Sequence, residues 1–285
     1  MGLDKFYTKK EQAKKCYEFL LTVLPEVEYK DFLEPSAGCG NFLDYLNNYL
    51  ALDILPEDDR IQQQDFLTFD TNKVDYVSIG NPPFGKRSKL AIDFFNKAAN
   101  FCEVIAWIVP VSFMKWGVQK ELASNWKLLD YIFLDPNSFT DEGVDFSVRT
   151  VFQIWVKANS IYDKGKKCRL LASPPIEHTD FNIWQYNATP QALKTVEENW
   201  TIATYRQGYH DYNQIFTKKD YDFIKQNMTG IKKQQFFFIE PLTEESKKII
   251  LSMDFNNLAA RNTSTPGYGK GDFVSYYMEL KNKSN

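Results

Sequence analysis

The sequence lacks the features expected of a membrane or secreted protein. No apolar stretch approaches the ~18 residues that a membrane span needs, and the first residues, Met1 to Lys5, contain no apolar secretory region. The four cysteines have no paired spacing, which favours a reduced, cytoplasmic setting over a disulfide framework. Because there are only two histidines and no Cys-x-x-Cys motif, no metal site is predicted.

The length and the charge pattern predict two domains. The 285 residues, 44% of them hydrophobic, are enough for one good core and a smaller second unit. The regular spacing of apolar residues is interrupted after Lys157, at residues 164–167 and again at residues 173–175. Residues 157–285 carry 18 Lys and Arg against 14 Asp and Glu, whereas residues 1–156 carry 16 against 23. We predict domains over 1–157 and 158–285; the basic excess of the second suits phosphate contact, although a solvated helical face explains it about as well.

The tetrapeptide Asn81-Pro82-Pro83-Phe84 is the most informative feature of the chain. It follows an apolar run, residues 76–80, that is typical of a buried strand ending in a turn. Two consecutive prolines fix two φ angles, so the turn is stiff. The Asn81 amide and the Pro82 carbonyl offer two acceptors for an exocyclic amine, and Phe84 offers a flat apolar face. Taken alone, such a tetrapeptide is as often a rigid surface loop as a functional motif.

A second motif lies upstream. The strand-like run Asp31 to Leu33 leads into the segment Glu34-Pro35-Ser36-Ala37-Gly38-Cys39-Gly40, and helical spacing resumes over residues 41–46. A strand, a glycine turn and a helix place backbone N–H groups beside a ligand. Asp53 ends the next apolar run, where a carboxylate would hold a ribose diol. The third glycine of a dinucleotide site is absent from residues 41–43, which weighs against NAD and allows a smaller adenosyl ligand.

A third acid, Asp65, ends a further short run and is followed by Phe66. Asp65 would accept a hydrogen bond from an adenine amine, and Phe66 would pack on the adenine ring. With these motifs in this order, residues 4–157 resemble the amino-methyltransferases that use S-adenosylmethionine to methylate adenine N6, most closely the gamma-ordered DNA group. In that group an N-terminal cofactor segment precedes the main cofactor loop, the catalytic tetrapeptide and a target-recognition region.

The resemblance implies roles for individual residues. Asn81, Pro82 and Phe84 would be catalytic, with Asn81 and the Pro82 carbonyl accepting the amine hydrogens and Phe84 stacking on the base. Region 158–285 would recognise the target. Cofactor contacts are implied for Phe6, Tyr7, Thr8, Glu34, Pro35, Ser36, Ala37, Gly38, Gly40, Asp53, Asp65, Phe66 and Asn81.

The resemblance also implies a fold and a reaction. The expected fold is α/β: a doubly wound, Rossmann-like methyltransferase sheet of seven strands with the final strand reversed, and a smaller C-terminal domain. The implied reaction transfers the methyl group of S-adenosylmethionine to adenine N6 in DNA, on a flipped or single-stranded base. The expected partner is nucleic acid, with DNA favoured over RNA and no membrane; a protein partner, such as a restriction enzyme, stays open.

Three alternative functions stay open. Ribosomal RNA adenine methyltransferases also carry Asn-Pro-Pro-Phe followed by glycine, as at Gly85. A related group methylates a glutamine amide, but that group resembles Asn-Pro-Pro-Tyr, and Phe84 counts against it. A non-catalytic, cofactor-binding subunit that helps a partner bind nucleic acid is the third alternative, and the intact tetrapeptide speaks against it.

Strands and helices are expected to alternate over the first domain. Thr8 and Glu11 have the spacing of a capping box for a helix that Pro25 ends, and Thr8 is equally suited to cofactor contact. Helices are predicted over 90–101 and 115–125, and strands over 104–111, 129–134 and 150–156. The C-terminal aromatic residues suit base stacking, but for most of them the core of a small domain is the better interpretation. These residues are Trp184, Tyr186, Trp200, Tyr205, Tyr209, Tyr212, Phe216 and Phe236 to Phe238.

Overall fold

The computed structural model describes residues 7–135, 138–141, 144–146, 148–164, 168–186, 199–208, 210–229, 234–261 and 265–284. The chain divides into two compact units, Met1–Leu171 and Ala172–Asn285. The first unit contains, in chain order, β1 (Tyr7–Thr8), α1 (Lys10–Val23), β2 (Asp31–Glu34), β3 (Asn48–Asp53), β4 (Gln62–Gln63), β5 (Tyr76–Gly80), α2 (Lys89–Ala98), β6 (Cys102–Pro110), α3 (Trp116–Gln119), β7 (Trp126–Phe133), β8 (Phe139–Asp141), β9 (Val144–Phe146) and β10 (Thr150–Lys157).

A seven-stranded sheet forms the centre of the first unit, in the order β4-β3-β2-β5-β6-β10-β7. Strands β4, β3, β2, β5 and β6 pair in parallel, whereas β10 is antiparallel to both of its neighbours, β6 and β7. From β2 the strand order runs outward in both directions, so the switch point of the sheet lies between β2 and β5. The predicted seven-stranded α/β sheet with a reversed final strand is therefore confirmed.

Apolar side chains cover both faces of this sheet, because neighbouring residues of a strand point to opposite sides. In β6, Ala106 belongs to the core cluster that includes Leu20 of α1. The next residue, Trp107, belongs to the opposite cluster and meets Phe95 of α2 edge-on, with ring centroids 6.1 Å apart. One helix is thus packed on each face, which is the double winding predicted from the alternating pattern.

The second unit is a smaller α/β unit with its own aromatic core. It contains β11 (Phe181–Tyr186), β12 (Ile202–Gln207), β13 (Ile215–Phe216), α4 (Tyr221–Thr229), β14 (Gln235–Pro241), α5 (Glu244–Leu251), α6 (Phe255–Ala260) and α7 (Lys270–Ser284). Its antiparallel sheet has the order β11-β14-β12-β13. Most of the aromatic residues expected to form a core are buried in it: Tyr186, Trp200, Tyr205, Tyr212, Phe216, Phe236, Phe237 and Phe238. Trp184 is half-buried, and Tyr209 lies outside the described residues.

The boundary between the units lies beyond Lys157, because the segment that follows still bonds to the first unit. The Cys168 N–H donates to the Leu128 carbonyl at 2.9 Å. The Arg169 guanidinium donates at 2.7–2.9 Å to four main-chain carbonyls, those of Gln119, Leu122, Ala123 and Trp126. The predicted helix over 115–125 is reduced to α3, and the residues beyond it form turns whose carbonyls are linked by Arg169.

Two other local predictions were wrong. Thr8 does not cap α1: it pairs with Phe139 in a small sheet of β1, β8 and β9, and Lys9 precedes the helix without a side-chain cap. Residues 41–46 do not form an α-helix, because β3 begins at Asn48 and leaves room for only one 3-10 turn, Leu43–Tyr45. The remaining elements agree with the prediction to within a few residues. Among the described residues, no helix combines the length and apolarity of a membrane span.

A buried hydroxyl joins three strands of the sheet, and its removal should destabilise the protein. Ser78 of β5 donates to the Leu33 carbonyl and accepts from Trp107 Nε1, both at 2.9 Å. We expect Ser78→Ala to lower the free energy of unfolding by about 1–3 kcal/mol, because it leaves a buried indole N–H without an acceptor. Urea unfolding should be compared with Ser124→Ala, an exposed serine of the same unit. Equal midpoints for the two variants would contradict the expectation.

Candidate active site

A cavity of about 550 Å³ opens at the carboxyl ends of β2, β3 and β5. Ligands of open α/β sheets bind at this edge, beside the point where the strand order reverses, and the volume is typical of small-molecule sites. Ten of the residues predicted as site residues line it: Tyr7, Pro35, Ser36, Gly38, Asp53, Asp65, Phe66, Asn81, Pro82 and Phe84. The sheet therefore brings together segments that are up to 77 positions apart in the chain.

Four predicted cofactor residues do not line the cavity. Thr8, Glu34 and Ala37 are buried, with at most 6% of each side chain exposed. Gly40 is also buried, and a side chain there would meet those of Arg60 and Asp58 at 3.2 Å. Phe6 lies outside the described residues. Thr8, Glu34, Ala37 and Gly40 therefore lie outside the cavity wall.

Asp53 anchors the loop that follows β2. Its carboxylate accepts the N–H of Gly38 and the N–H of Leu55, each at 2.8 Å and each on a different oxygen. Gly38 has a φ of +56°, and a Cβ there would lie 3.0 Å from the Tyr7 ring, so glycine is required for both conformation and space. Tyr7 in turn donates a hydrogen bond to Glu57, and burial is the largest cause that raises its pKa. The loop and β1 therefore hold Asp53 in one orientation.

The tetrapeptide is tied directly to the same loop. Ser36 Oγ donates to the main-chain carbonyl of Asn81 at 3.1 Å. Pro82 is buried, whereas Asn81 and Phe84 are half-buried and line the cavity. Beyond the turn, the hydroxyls of Ser88 and Ser112 lie 2.8 Å apart and fix the chain as it enters α2. The amide and the ring are thus held in a set relation to the Gly38 loop.

Asp65 and Phe66 form the third side of the cavity. Phe66 is 1% exposed and packs against Phe94, with ring centroids 5.2 Å apart. Asp65 Oδ1 accepts the Leu67 N–H at 2.9 Å, which leaves the other carboxylate oxygen available to a ligand. A buried ring next to an oriented carboxylate can recognise the edge of a planar base while packing beside it.

The apolar side chains of the cavity that the sequence analysis missed include three exposed aliphatic residues. Ile54, Leu55 and Leu67 are 50%, 47% and 37% exposed, which is unusual for large aliphatic residues, and all three line the cavity. Each follows a candidate acid, Asp53 or Asp65, within two positions. That adjacency of acid and aliphatic residue at two strand ends was the available signal, and it indicates an apolar wall for a planar ligand.

A buried acid lies behind the cavity. Glu34 is 2% exposed, and its Oε2 has no hydrogen-bond partner among the described residues. Burial raises the pKa of Glu34 well above its ordinary value, and the nearby Asp53 carboxylate raises it further, while Arg60 acts in the opposite direction. The neutral form of Glu34 is therefore favoured, because a second charge beside Asp53 would be buried without compensation.

Comparisons with known proteins give similarity in fold only. No protein-family model and no curated sequence matches the chain. A Pyrococcus horikoshii protein provisionally assigned as an RNA methyltransferase shares 16% identity, over 55% of this chain and 89% of that one, with a TM-score of 0.44. A type I restriction-modification methyltransferase subunit from Streptococcus thermophilus shares 16% sequence identity, over 57% of this chain and 49% of that one, with a TM-score of 0.42. The 23S rRNA methyltransferase ErmE shares 15% sequence identity, over 52% of this chain and 70% of that one, with a TM-score of 0.34. At these values no family is assigned.

The raised pKa of Glu34 predicts a specific pH dependence of stability. A carboxyl whose pKa is higher in the folded state binds its proton more tightly there, so the free energy of unfolding falls as the pH rises above the ordinary value of 4.5. One such proton contributes up to about 1.4 kcal/mol per pH unit. We expect Glu34→Gln to remove this slope, so that the variant gains stability relative to the natural protein as the pH rises. Urea unfolding at several pH values tests this; a difference that does not change with pH would contradict it.

Proposed function

We propose that the first unit binds S-adenosylmethionine in this cavity and transfers its methyl group to the N6 amine of adenine in DNA. One observation carries the proposal: the Asn81–Phe84 turn and the Asp53 carboxylate line a single cavity at the switch point of the sheet. A ribose-binding acid and an amine-binding turn are thereby close enough to act on two ligands at once. The second unit, residues 172–285, would contact the nucleic acid.

The residues around the cavity fit an adenosyl cofactor. Asp53 is oriented by two backbone N–H groups, and each of its oxygens keeps a lone pair for a ribose hydroxyl. Asp65 and the aliphatic residues Ile54, Leu55 and Leu67 offer a polar edge and an apolar wall to an adenine ring. When bound, the cofactor supplies an electrophilic methyl group on its sulfonium. The protein supplies orientation.

The Asn81–Phe84 turn would orient the acceptor amine. The lone pair of adenine N6 is delocalised into the ring, so the amine is a poor nucleophile until its geometry changes. The Asn81 side-chain oxygen and the Pro82 carbonyl would accept the two amine hydrogens, which turns the lone pair toward the methyl group. Phe84 would stack on the base and contribute roughly 1–3 kcal/mol. Alignment of the amine with the methyl group is then the main source of rate.

The half-buried position of Asn81 and Phe84 has a consequence for the substrate. A base inside a duplex cannot reach these side chains, so the target adenine must be flipped out or single-stranded.

To test the function, the purified chain is incubated with labelled S-adenosylmethionine and, separately, with duplex DNA, single-stranded DNA and total RNA, and methylated nucleosides are identified. N6-methyladenine from DNA is the expected product. The same product from RNA alone would move the substrate to RNA, and the absence of transfer to any of them would contradict the proposal.

Substitution of Asn81 should separate catalysis from cofactor binding. We expect Asn81→Ala to lower the rate of methyl transfer by at least about 100-fold, because the amine loses one of its two acceptors and its alignment. The affinity for S-adenosylmethionine should change little. Initial rates and calorimetric affinities are compared with those of Asn72→Ala, an exposed asparagine outside the cavity. A variant that keeps most of its rate would show that Asn81 is not the amine acceptor.

Substitution of Asp53, unlike that of Asn81, should weaken cofactor binding. We expect Asp53→Ala to weaken S-adenosylmethionine binding by at least about tenfold, because charged hydrogen bonds to the ribose and the anchor of the Gly38 loop are both lost. Asp53→Asn keeps an oxygen acceptor and should be affected less. Asp70→Ala removes an exposed acid of the same unit and serves as the control. Unchanged affinity of Asp53→Ala in calorimetry would exclude the ribose contact.

A further inference from the structure

An irregularity in the sheet of the second unit re-aims one arginine. Strand β12 pairs with β14, with Tyr205 opposite Phe236 and Gln207 opposite Gln235, so Arg206 is an extra residue with no partner in the register. This is a β-bulge, and bulges often turn a side chain toward a functional surface. The backbone of residues 266–268 supports it: the Tyr268 N–H donates to the Arg206 carbonyl at 3.0 Å. A side chain at Gly267 would lie 2.6 Å from that same carbonyl.

The guanidinium of Arg206 is poorly compensated. It is half-buried above the Phe237 ring, at 5.8 Å from the centroid, and its one described hydrogen bond is donated to the neutral amide oxygen of Gln235. Its Nε is buried and has no hydrogen-bond partner among the described residues. Burial lowers the pKa of Arg206, and no carboxylate of the described residues is among the groups that counteract it. A cation in such a place is costly unless an anion or additional acceptors complete it.

Arg169 of the first unit shows what a purely structural arginine looks like in this protein. It is also half-buried, and burial also lowers its pKa. However, it donates four hydrogen bonds to main-chain carbonyls, which hold residues 119–126 in place. Arg206 has one described acceptor in place of four. Arg206 therefore retains hydrogen-bond donors that no described residue uses.

We infer that Arg206 binds a phosphodiester of the nucleic-acid strand that the second unit contacts. The guanidinium is planar and forked, and a phosphate oxygen is an acceptor that such a group binds strongly. The half-exposed side chain is reachable from solvent, and the bulge fixes its direction before binding. The identity of the ligand rests on the proposed function, whereas the site itself rests on the geometry of the bulge.

The test measures nucleic-acid binding and its salt dependence on the full chain. Fluorescein-labelled single-stranded DNA, duplex DNA and RNA of one sequence are titrated with the natural protein, Arg206→Gln and Arg206→Lys, and methyl transfer to the same probes is measured in parallel. We expect Arg206→Gln to raise Kd on the order of tenfold. The slope of log Kd against log salt should fall by about 0.7–0.9, the loss of one phosphate contact. Arg206→Lys should be intermediate, because it keeps the charge without the fork.

Arg261→Gln is the matched control, since it removes an equal charge from the same unit at a guanidinium that lies over Tyr276. It should leave the slope near that of the natural protein, and none of the variants should alter affinity for S-adenosylmethionine. Binding and slope unchanged in Arg206→Gln, while the natural protein binds and methylates the probe, would overturn the Arg206 site and leave the proposed function intact. Loss of thermal stability without a change of slope would likewise overturn it, by making Arg206 structural.

The remaining outcomes separate the two proposals. If the natural protein binds a probe but methylates none, and Arg206→Gln weakens that binding, the phosphate site is supported and the proposed function fails. If the natural protein binds no probe, the Arg206 inference is overturned, whatever the result for methyl transfer.

Discussion

The parallel pairing of β2 with β3 on one side and with β5 on the other is the constraint on which the candidate site depends. It places the carboxyl ends of three strands at one edge, and the loops that leave those ends must pass each other there. Two hydrogen bonds connect these loops, from Ser36 to the Asn81 carbonyl and from Gly38 to Asp53. The turn, the loop and the acid therefore behave as one rigid group, and a shift of any strand would move all three.

The electrostatics of the site follow from how deeply each acid is buried. Asp53 is half-buried and receives two backbone N–H groups, so its negative charge is compensated and still faces the cavity. Glu34, one strand away, is buried and has no partner for Oε2 among the described residues, and its neutral form is favoured. Burial and the neighbouring Asp53 carboxylate therefore decide the protonation state of Glu34. Of these two neighbours, only Asp53 lines the cavity.

Arg169 of the first unit and Arg206 of the second are both half-buried, but their surroundings differ. Arg169 is saturated by carbonyls and stabilises a turn, whereas Arg206 projects from a bulge with one described acceptor. The aromatic residues around Arg206 are largely core: Phe237 is fully buried and stacks on Tyr268. The proposed nucleic-acid contact of this unit therefore rests on the half-buried Arg206 and not on its many aromatic rings.

The order of the motifs, the alternation of strands and helices and the aromatic core of the second unit were readable from the sequence, because hydrophobic periodicity and turn residues are local properties. The seven strands with a reversed final strand were implied by the family resemblance. The turns that follow α3 and the pairing of Thr8 were not readable, since each involves a partner far along the chain, Arg169 in one case and Phe139 in the other. The sequence by itself determined which residues stand at the strand ends. Only the tertiary structure decided which of them face the cavity, why Glu34 turns away from it, and that Arg206 lies on a bulge, because burial and register are set by neighbours that the linear sequence does not place.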